Sequence, residues 1–285
     1  MASHFSILRA YFKLVNRVQI GDYPSKETLL NLFEESPIAP RTLERYLKEL
    51  DEEFGISIKY NRSRKGYVLN TEEDIAVNQF FKFMEFSEKA DLMRDIVKTG
   101  KEGLKFLDFE EHGLLKGVQF LSPLFHATRT QQVCEIDYYK FDSDEVHHHV
   151  FYPYLLKEYQ GRWYIISYCE DVKDTRTFAI DRIRELIVRK DKFRKKPKFE
   201  KLDNLEHCIG LNWSNEKVER IVIRFTEYQA KYQRALPWHW SQKELDTAPN
   251  SFVDFELRLI INYELKQKIW MLGKEVEVLE PESLK

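Results

Sequence analysis

The stretch Tyr152–Arg184, YPYLLKEYQGRWYIISYCEDVKDTRTFAIDRIR, decides how this chain is read. Short aromatic and aliphatic runs alternate with turn pairs such as Gln160-Gly161, the pattern of successive strands. The last run carries Arg176 and Arg182. If it is a regular strand, side chains alternate with period two, and Arg176, Phe178, Ile180 and Arg182 share a face. Two guanidiniums on one face, with aromatics beside them, suit an anion such as a phosphate or a nucleotide. Two further runs precede it, VCEIDYYKF from Val133 and VHHHVFYPYLLKEY from Val146, so the region from Gln132 onward predicts a small, strongly bent sheet or barrel.

Within the second of these runs His147 and His149 share a strand face and could ligate a metal. No third ligand with suitable spacing is visible, and Cys134 and Asp137 are the only neighbours that suggest themselves. No metal or other cofactor is therefore expected. His149 is expected at the rim of a pocket, where it could assist anion binding.

Working outward, Phe5–Asn70 reads as three helices and a hairpin. Phe5, Leu8, Phe12 and Val15 give a first amphipathic helix. Ser25 is the expected N-cap of a second, running to about Glu35. Pro40 suits the first position of a third, Pro40–Phe54, whose apolar stripe is Leu43, Leu47, Leu50 and Phe54. Arg41, Thr42, Arg45 and Lys48 lie near the start of that helix and give it a basic edge, which a helix–turn–helix reader presents to the major groove. The alternative is a solvated charged face, since five acidic residues share the helix. Ile56–Asn70 then forms a hairpin with Lys59, Arg62, Arg64 and Lys65 and no acidic residue, a composition suited to backbone phosphates.

The remaining segments are less specific. Thr71–Thr130 reads as helical, with a capping box at Thr71–Asp74, an apolar face of Ile75, Phe80, Phe81 and Met84, and separate helices over about 88–99 and 114–129. Its many phenylalanines, among them Phe83, Phe86, Phe106, Phe109, Phe120 and Phe125, are assigned to core and interdomain packing. Lys190–Lys201 reads as a basic linker. Strands at 218–225, near 238–245, at 252–261 and at 275–279 then alternate with helices at 227–235 and 264–272, an α+β sandwich of ferredoxin-like type.

Composition bounds the function classes. The 285 residues are 43% hydrophobic, 32% charged and 14% aromatic, which excludes a largely disordered or collagen-like chain. Net charge is −2, so any nucleic-acid contact rests on a local basic surface and not on global charge. Three widely spaced cysteines, Cys134, Cys169 and Cys208, form neither a disulfide framework nor a zinc knuckle. No apolar run is long enough to span a bilayer and the first residues lack a signal-peptide pattern, so a cytoplasmic protein without membrane contact is expected. No nucleophile elbow, zinc-protease motif or phosphate-cradling glycine loop is present, and no enzymatic activity is expected.

Two stretches resemble a known family. APRTLERYLKELDEEFGISIKYNRSRKGYVL, from Ala39, resembles the winged helix–turn–helix of DeoR-like and WYL-domain bacterial regulators. Ala39 stands where the family usually has serine, which removes a cap and a phosphate-binding hydroxyl, and Tyr46 stands where it has aspartate. The run from Gln132 to Phe193, with its Pro-x-x-Leu strand, the triplet Trp163-Tyr164-Ile165 and an Arg-x-Phe-x-x-Asp-Arg-Ile ending, resembles a WYL domain, an Sm-like β-barrel. The last ninety residues resemble the C-terminal extension of the same family. The resemblance implies a pocket for a nucleotide or single-stranded nucleic acid lined by Tyr138, Tyr152, Trp163, Tyr164, Arg176 and Arg182. Trp163 and Tyr164 point to opposite faces, so one belongs to the core. Arg182 follows Asp181 and could simply pair with a carboxylate.

Four segments are therefore expected: a winged helix–turn–helix at 1–70, a helical linker at 71–130, the WYL barrel at 131–195 and a ferredoxin-like extension at 196–285. The expected function is a ligand-responsive transcription regulator, acting on double-stranded DNA as a homodimer. An accessory nucleic-acid-binding protein of a DNA-repair or phage-defence system is the alternative.

Overall fold

The computed structural model describes residues 4–70, 74–100, 102, 105, 116–194, 204–213, 217–246 and 251–284. The chain divides into two compact units, residues 1–109 and 110–285.

The first unit opens with α1 (His4–Gln19), followed by α2 (Lys26–Asn31) and α3 (Pro40–Phe54). On α1 Leu8, Tyr11, Leu14, Val15 and Val18 form a buried row advancing by three and four residues, with Ala10 buried beside it. Phe12, expected in this stripe, lies at its edge and meets Phe81 edge-on at 5.4 Å. Tyr11 takes its place because its hydroxyl donates to Glu49 at 2.5 Å, which satisfies the polar tip while the ring stays buried. The Ser25 hydroxyl accepts from the Thr28 N–H, as expected of an N-cap, but α2 stops at Asn31 and turns continue to Ser36. Pro40 begins α3 after Ala39, which caps with no side chain, and Gly55 ends it at φ 67°. Leu43, Tyr46 and Leu50 are buried there, while Leu47 and Phe54 are only partly so.

The hairpin pairs β1 (Ile58–Asn61) with β2 (Gly66–Leu69) in antiparallel register, Ile58 opposite Leu69 and Asn61 opposite Gly66. The Asn61 side chain accepts from the Arg64 N–H at 3.0 Å, which closes the four-residue turn. Gly66 sits against the backbone of Tyr23, and the Tyr67 N–H donates to the Pro24 carbonyl at 2.9 Å.

One 26-residue helix, α4 (Asp74–Thr99), replaces the two helices expected there. It contains neither glycine nor proline, and Glu85 is bracketed by Lys82 and Lys89, so nothing local breaks it. Gly100, at φ 60°, ends it. Val77, Phe80 and Met84 are buried, whereas Phe83, Phe86 and Phe125 are exposed. The expected capping threonine Thr71, together with Phe106 and Phe109, lies outside the described residues.

In the second unit a 3-10 turn at Val118–Phe120 leads into α5 (Leu121–Thr130), a shorter helix than expected. Strands β3 (Gln132–Lys140), β4 (Glu145–Tyr159), β5 (Arg162–Cys169), β6 (Asp174–Ala179) and β7 (Ile183–Lys192) form one antiparallel sheet in the order β6-β5-β4-β3-β7. The expected closed barrel is not found. Strand β7 pairs with β3, and no ladder joins β6 to β7 among the described residues. The sheet shifts register at Pro153, where β4 has no N–H to give and a bulge lets pairing resume at Leu155. Leu124 and Ala127 of α5 share a core cluster with Cys134, Ile136, Phe151, Ile165 and Phe178.

The C-terminal part runs β8 (Glu219–Thr226), α6 (Glu227–Ala235), β9 (Lys243–Leu245), β10 (Phe252–Leu259), α7 (Tyr263–Leu272) and β11 (Val276–Glu280). Its antiparallel sheet has the order β11-β8-β10-β9, so the connectivity is that of a split β–α–β unit. Strand β9 is shorter than expected because Trp238–Ser241 forms turns, and Asn262 caps α7 by accepting from the Leu265 N–H. Strand β7 extends into the expected basic linker as far as Lys192, and residues 195–201 of that linker are outside the described residues.

Candidate functional site

The edge strand β6 separates two lobes of one cleft. The smaller, about 430 Å³, is bounded by residues from β3 to β6, including Tyr138, Phe141, His149, Cys169 and Phe178. The larger, about 700 Å³, lies between β5–β6 and the segment Leu211–Trp213, with Tyr164, Trp213 and Glu264 on its walls. Arg176, Thr177 and Arg182 belong to both.

The two arginines reach this position differently from the sequence expectation. Strand β6 ends at Ala179, and Ile180–Arg182 is a 3-10 turn, so the alternation that placed Arg176 and Arg182 on one strand face breaks before Arg182. The turn still brings both guanidiniums to the cleft. Asp181 does not pair with Arg182; it accepts from Arg162 at 2.5 Å. The Arg182 guanidinium lies 4.7 Å from the Tyr138 ring centre and 4.5 Å from that of Phe141, stacked between two aromatics. Its Nε is buried with no hydrogen-bond partner among the described residues. Arg176 is exposed and donates to the Thr175 carbonyl at 3.1 Å, which leaves further donors of its fork for a ligand.

Tyr138 forms the floor beneath Arg182. It is buried, its hydroxyl accepts from the Ala179 N–H at 3.1 Å, and burial raises its pKa above the ordinary phenol value. Its ring meets Phe178 at 4.9 Å. In the larger lobe Glu264 Oε1 accepts from the Leu211 N–H, the Asn212 N–H and the Asn212 amide at 2.9, 3.1 and 2.9 Å. Its Oε2 is buried without a partner among the described residues. This carboxylate shapes the loop that carries Trp213.

His149 does lie at the rim of the smaller lobe, but its neighbours are not those the sequence suggested. Its Nδ1 is 2.6 Å from Asp171 Oδ2 and 3.8 Å from Cys169 Sγ, while Asp137 pairs with His148 at 3.0 Å. That contact with Asp137 raises the His148 pKa. Cys134 pairs across the sheet with Phe151, away from His147. Burial pushes the Cys134 and Cys169 thiols up to about 12 and Cys208 to about 11.

In the first unit Arg41, Arg45 and Lys48 are exposed on α3, with Thr42 half-buried beside them. Arg45 is 3.6 Å from the half-buried Glu49 and Lys48 is 3.4 Å from the exposed Glu52, surface ion pairs that contribute little to stability. Arg62, Arg64 and Lys65 are exposed at the tip of the hairpin, and Arg64 lies over the Tyr23 ring at 5.7 Å.

Comparison with known families matches a WYL domain over residues 119–188 and a WCX domain over residues 217–285. The chain therefore carries a WYL domain followed by a WCX domain. Among solved structures it is similar to proteasome accessory factor B/C (PafBC) of Arthrobacter aurescens, at 15% identity and a TM-score of 0.35, over 96% of this chain and 44% of that one. It is also similar to a CRISPR Cas-related protein, at 14% identity and a TM-score of 0.38, over 98% of this chain and 81% of that one. The chain thus spans less than half the length of the PafBC chain. No curated protein matches it. No helix among the described residues is long and apolar enough to cross a membrane.

The name-giving triplet of the WYL domain splits across the sheet. Tyr164 faces the larger lobe, whereas Trp163 packs on the core cluster around Phe151. Tyr152, expected in the pocket, stands three residues from His149 on β4 and so faces the other side. It stacks there on Phe193 at 4.8 Å and on Tyr168 at 5.9 Å. The sequence reading missed Phe141, Thr177, Trp213 and Glu264. Two-residue alternation along β6 puts Thr177 on the face opposite Arg176, and nothing local marks Glu264, whose partners are 52–53 positions away.

Proposed function

We propose that this WYL-domain protein is a ligand-responsive, DNA-binding transcription regulator. The WYL cleft receives a nucleotide or a short single strand of nucleic acid, and α3 with the basic hairpin acts as a winged helix–turn–helix on double-stranded DNA. The observation that carries this reading is Arg182, fixed between Tyr138 and Phe141 with its Nε unpartnered and Arg176 beside the same cleft. A guanidinium held by aromatics and not by a carboxylate keeps its full charge for phosphate, while Tyr164 and Trp213 offer faces on which bases stack. Arg41, Thr42, Arg45 and Lys48 would meet the major groove, with Arg62, Arg64 and Lys65 on the backbone. A homodimer would place two such readers on a palindromic site. Effector binding would then shift the population between DNA-competent and DNA-incompetent arrangements.

The test uses the full chain and two probes. Duplexes selected from a random pool by the wild type should bind the Arg41→Ala/Arg45→Ala variant at least about tenfold more weakly, with a shallower salt dependence. Labelled oligothymidine should bind the Arg176→Ala/Arg182→Ala variant about ten- to a hundredfold more weakly than the wild type. Unchanged affinity in the first arm refutes the DNA reader, and unchanged affinity in the second refutes the cleft. Selection of no preferred duplex, with oligonucleotide binding retained, would favour an accessory role without promoter recognition.

A further inference from the structure

We propose that the smaller lobe contains a metal site, in which His149, Cys169 and Asp171 bind one zinc-class divalent cation. The site stands on its own geometry and does not depend on the identity of the effector.

The sheet itself assembles the ligands. In the β4–β5 ladder Phe151 lies opposite Cys169, and the Glu170 N–H donates to the Val150 carbonyl at 3.1 Å, which continues the pairing outward. Continuing the register by one more residue puts His149 opposite Asp171. His149 lies on β4, Cys169 ends β5 and Asp171 follows in its turn, so the imidazole, thiol and carboxylate converge at one end of this strand pair. Their nearest ligand atoms all lie within 4.8 Å of one another.

The spacing fits a tetrahedral ion. Bonds of about 2.0–2.3 Å at tetrahedral angles place ligand atoms about 3.3–3.6 Å apart. Cys169 Sγ is 3.4 Å from Asp171 Oδ1 and 3.8 Å from His149 Nδ1. Only the His149–Asp171 contact, a hydrogen bond of 2.6 Å, has to open for the ion to enter. Nitrogen, sulfur and oxygen donors together select zinc-class ions over magnesium or calcium. Binding releases the Cys169 thiol proton to solvent, and the proton that His149 Nδ1 shares with Asp171 passes to Nε2, so that a thiolate, a neutral imidazole and a carboxylate face the ion.

A nucleophilic relay is the competing reading of these residues, and the geometry disfavours it. Such a relay needs the thiol and the acid on different ring nitrogens. Here Cys169 and Asp171 both address Nδ1, and Nε2 is buried with no partner among the described residues. His147, on the same face, stacks on His149 with ring centres 6.4 Å apart, and its Nε2 lies 3.4 Å from Glu145. It is not a ligand in this arrangement. The fourth position therefore faces the lobe, where water or an oxygen of a bound ligand completes the sphere.

The experiment titrates chelator-treated full-length protein with Co2+ and then with Zn2+. One equivalent of Co2+ should bind with a thiolate charge-transfer band and the intense visible bands of tetrahedral cobalt, and Zn2+ should displace it. Cys169→Ala should abolish the charge-transfer band, and His149→Ala and Asp171→Asn should each weaken binding by about tenfold or more. Cys134→Ser, Cys208→Ser and His147→Ala should leave the band in place. Asp171 is exposed, so Asp171→Asn separates ligand loss from misfolding, and its melting temperature without metal should match the wild type. Absence of a thiolate band in the wild type, its survival in Cys169→Ala, or undiminished affinity in Asp171→Asn would each overturn the site and leave a hydrogen-bonded cluster only.

Discussion

Replacing Gly66 with alanine puts a methyl group where the backbone of Tyr23 already lies. A Cβ at position 66 would stand 2.5 Å from the Tyr23 carbonyl carbon and 2.9 Å from its Cβ, and closer still to the carbonyl oxygen. Non-bonded carbons settle at about 3.5–4.0 Å, so the hairpin must retreat by about 1 Å. That movement strains the Tyr67 N–H to Pro24 carbonyl hydrogen bond, now 2.9 Å. Overpacking costs about 1–3 kcal/mol and the hydrogen bond about 0.5–1.5 kcal/mol. The lost freedom of the unfolded chain returns about 0.4–1 kcal/mol, which leaves a net loss of about 2 kcal/mol. Hydrogen exchange at the Tyr67 amide in the full chain should accelerate about thirtyfold, since 1.4 kcal/mol corresponds to a factor of ten. Duplex affinity should fall with it, because Arg62, Arg64 and Lys65 ride on the displaced turn. Exchange within threefold of the wild type would refute the close approach and the docking argument built on it.

Two further outcomes follow from the C-terminal part. Burial lowers His239 from its ordinary 6.5 to about 4, with Nε2–H donating to the Glu206 carbonyl and Nδ1 accepting from Ser241. The unfolded chain therefore takes up the proton first, and stability is full above pH 6.5 and is lost as pH falls from 6.5 towards 4, by ~3 kcal/mol in all. Denaturation midpoints against pH should be flatter in His239→Gln over that window, and an unchanged slope would refute the assignment. Asn262→Ala removes the cap of α7 and an amide that donates to Ile209 and Asn212 carbonyls at 2.7 and 2.8 Å, so denaturant unfolding should register a loss of about 2–4 kcal/mol.

Local chemistry carried much of the fold into the sequence. Ser25 and Pro40 marked helix starts because caps and fixed φ angles act over a few residues, and the β3–β6 strands were legible from their turns. Strand register and tertiary competition were not. Ile180-Asp181-Arg182 continues an alternating pattern, so it read as strand, yet packing around Tyr138 turns it into a 3-10 segment. Tyr46 read as a departure from a family motif, whereas the structure shows it in the core, 5.5 Å from the ring of Tyr11. Arg176 and Arg182 were legible as a pair because residue type alone points to anions. Their neighbours Phe141, Trp213 and Glu264 were not, since chain segments distant in sequence bring them there. The same holds for His149, whose partners come from the next strand, beyond the reach of a spacing rule.

The open sheet also bears on how this cleft can change over time. Among the described residues strand β6 pairs on one side only, and it forms the wall between the two lobes. An edge strand presents main-chain donors and acceptors that no substitution short of proline removes. Side-chain substitutions along this wall therefore change its shape and charge while the main-chain polar surface persists beneath.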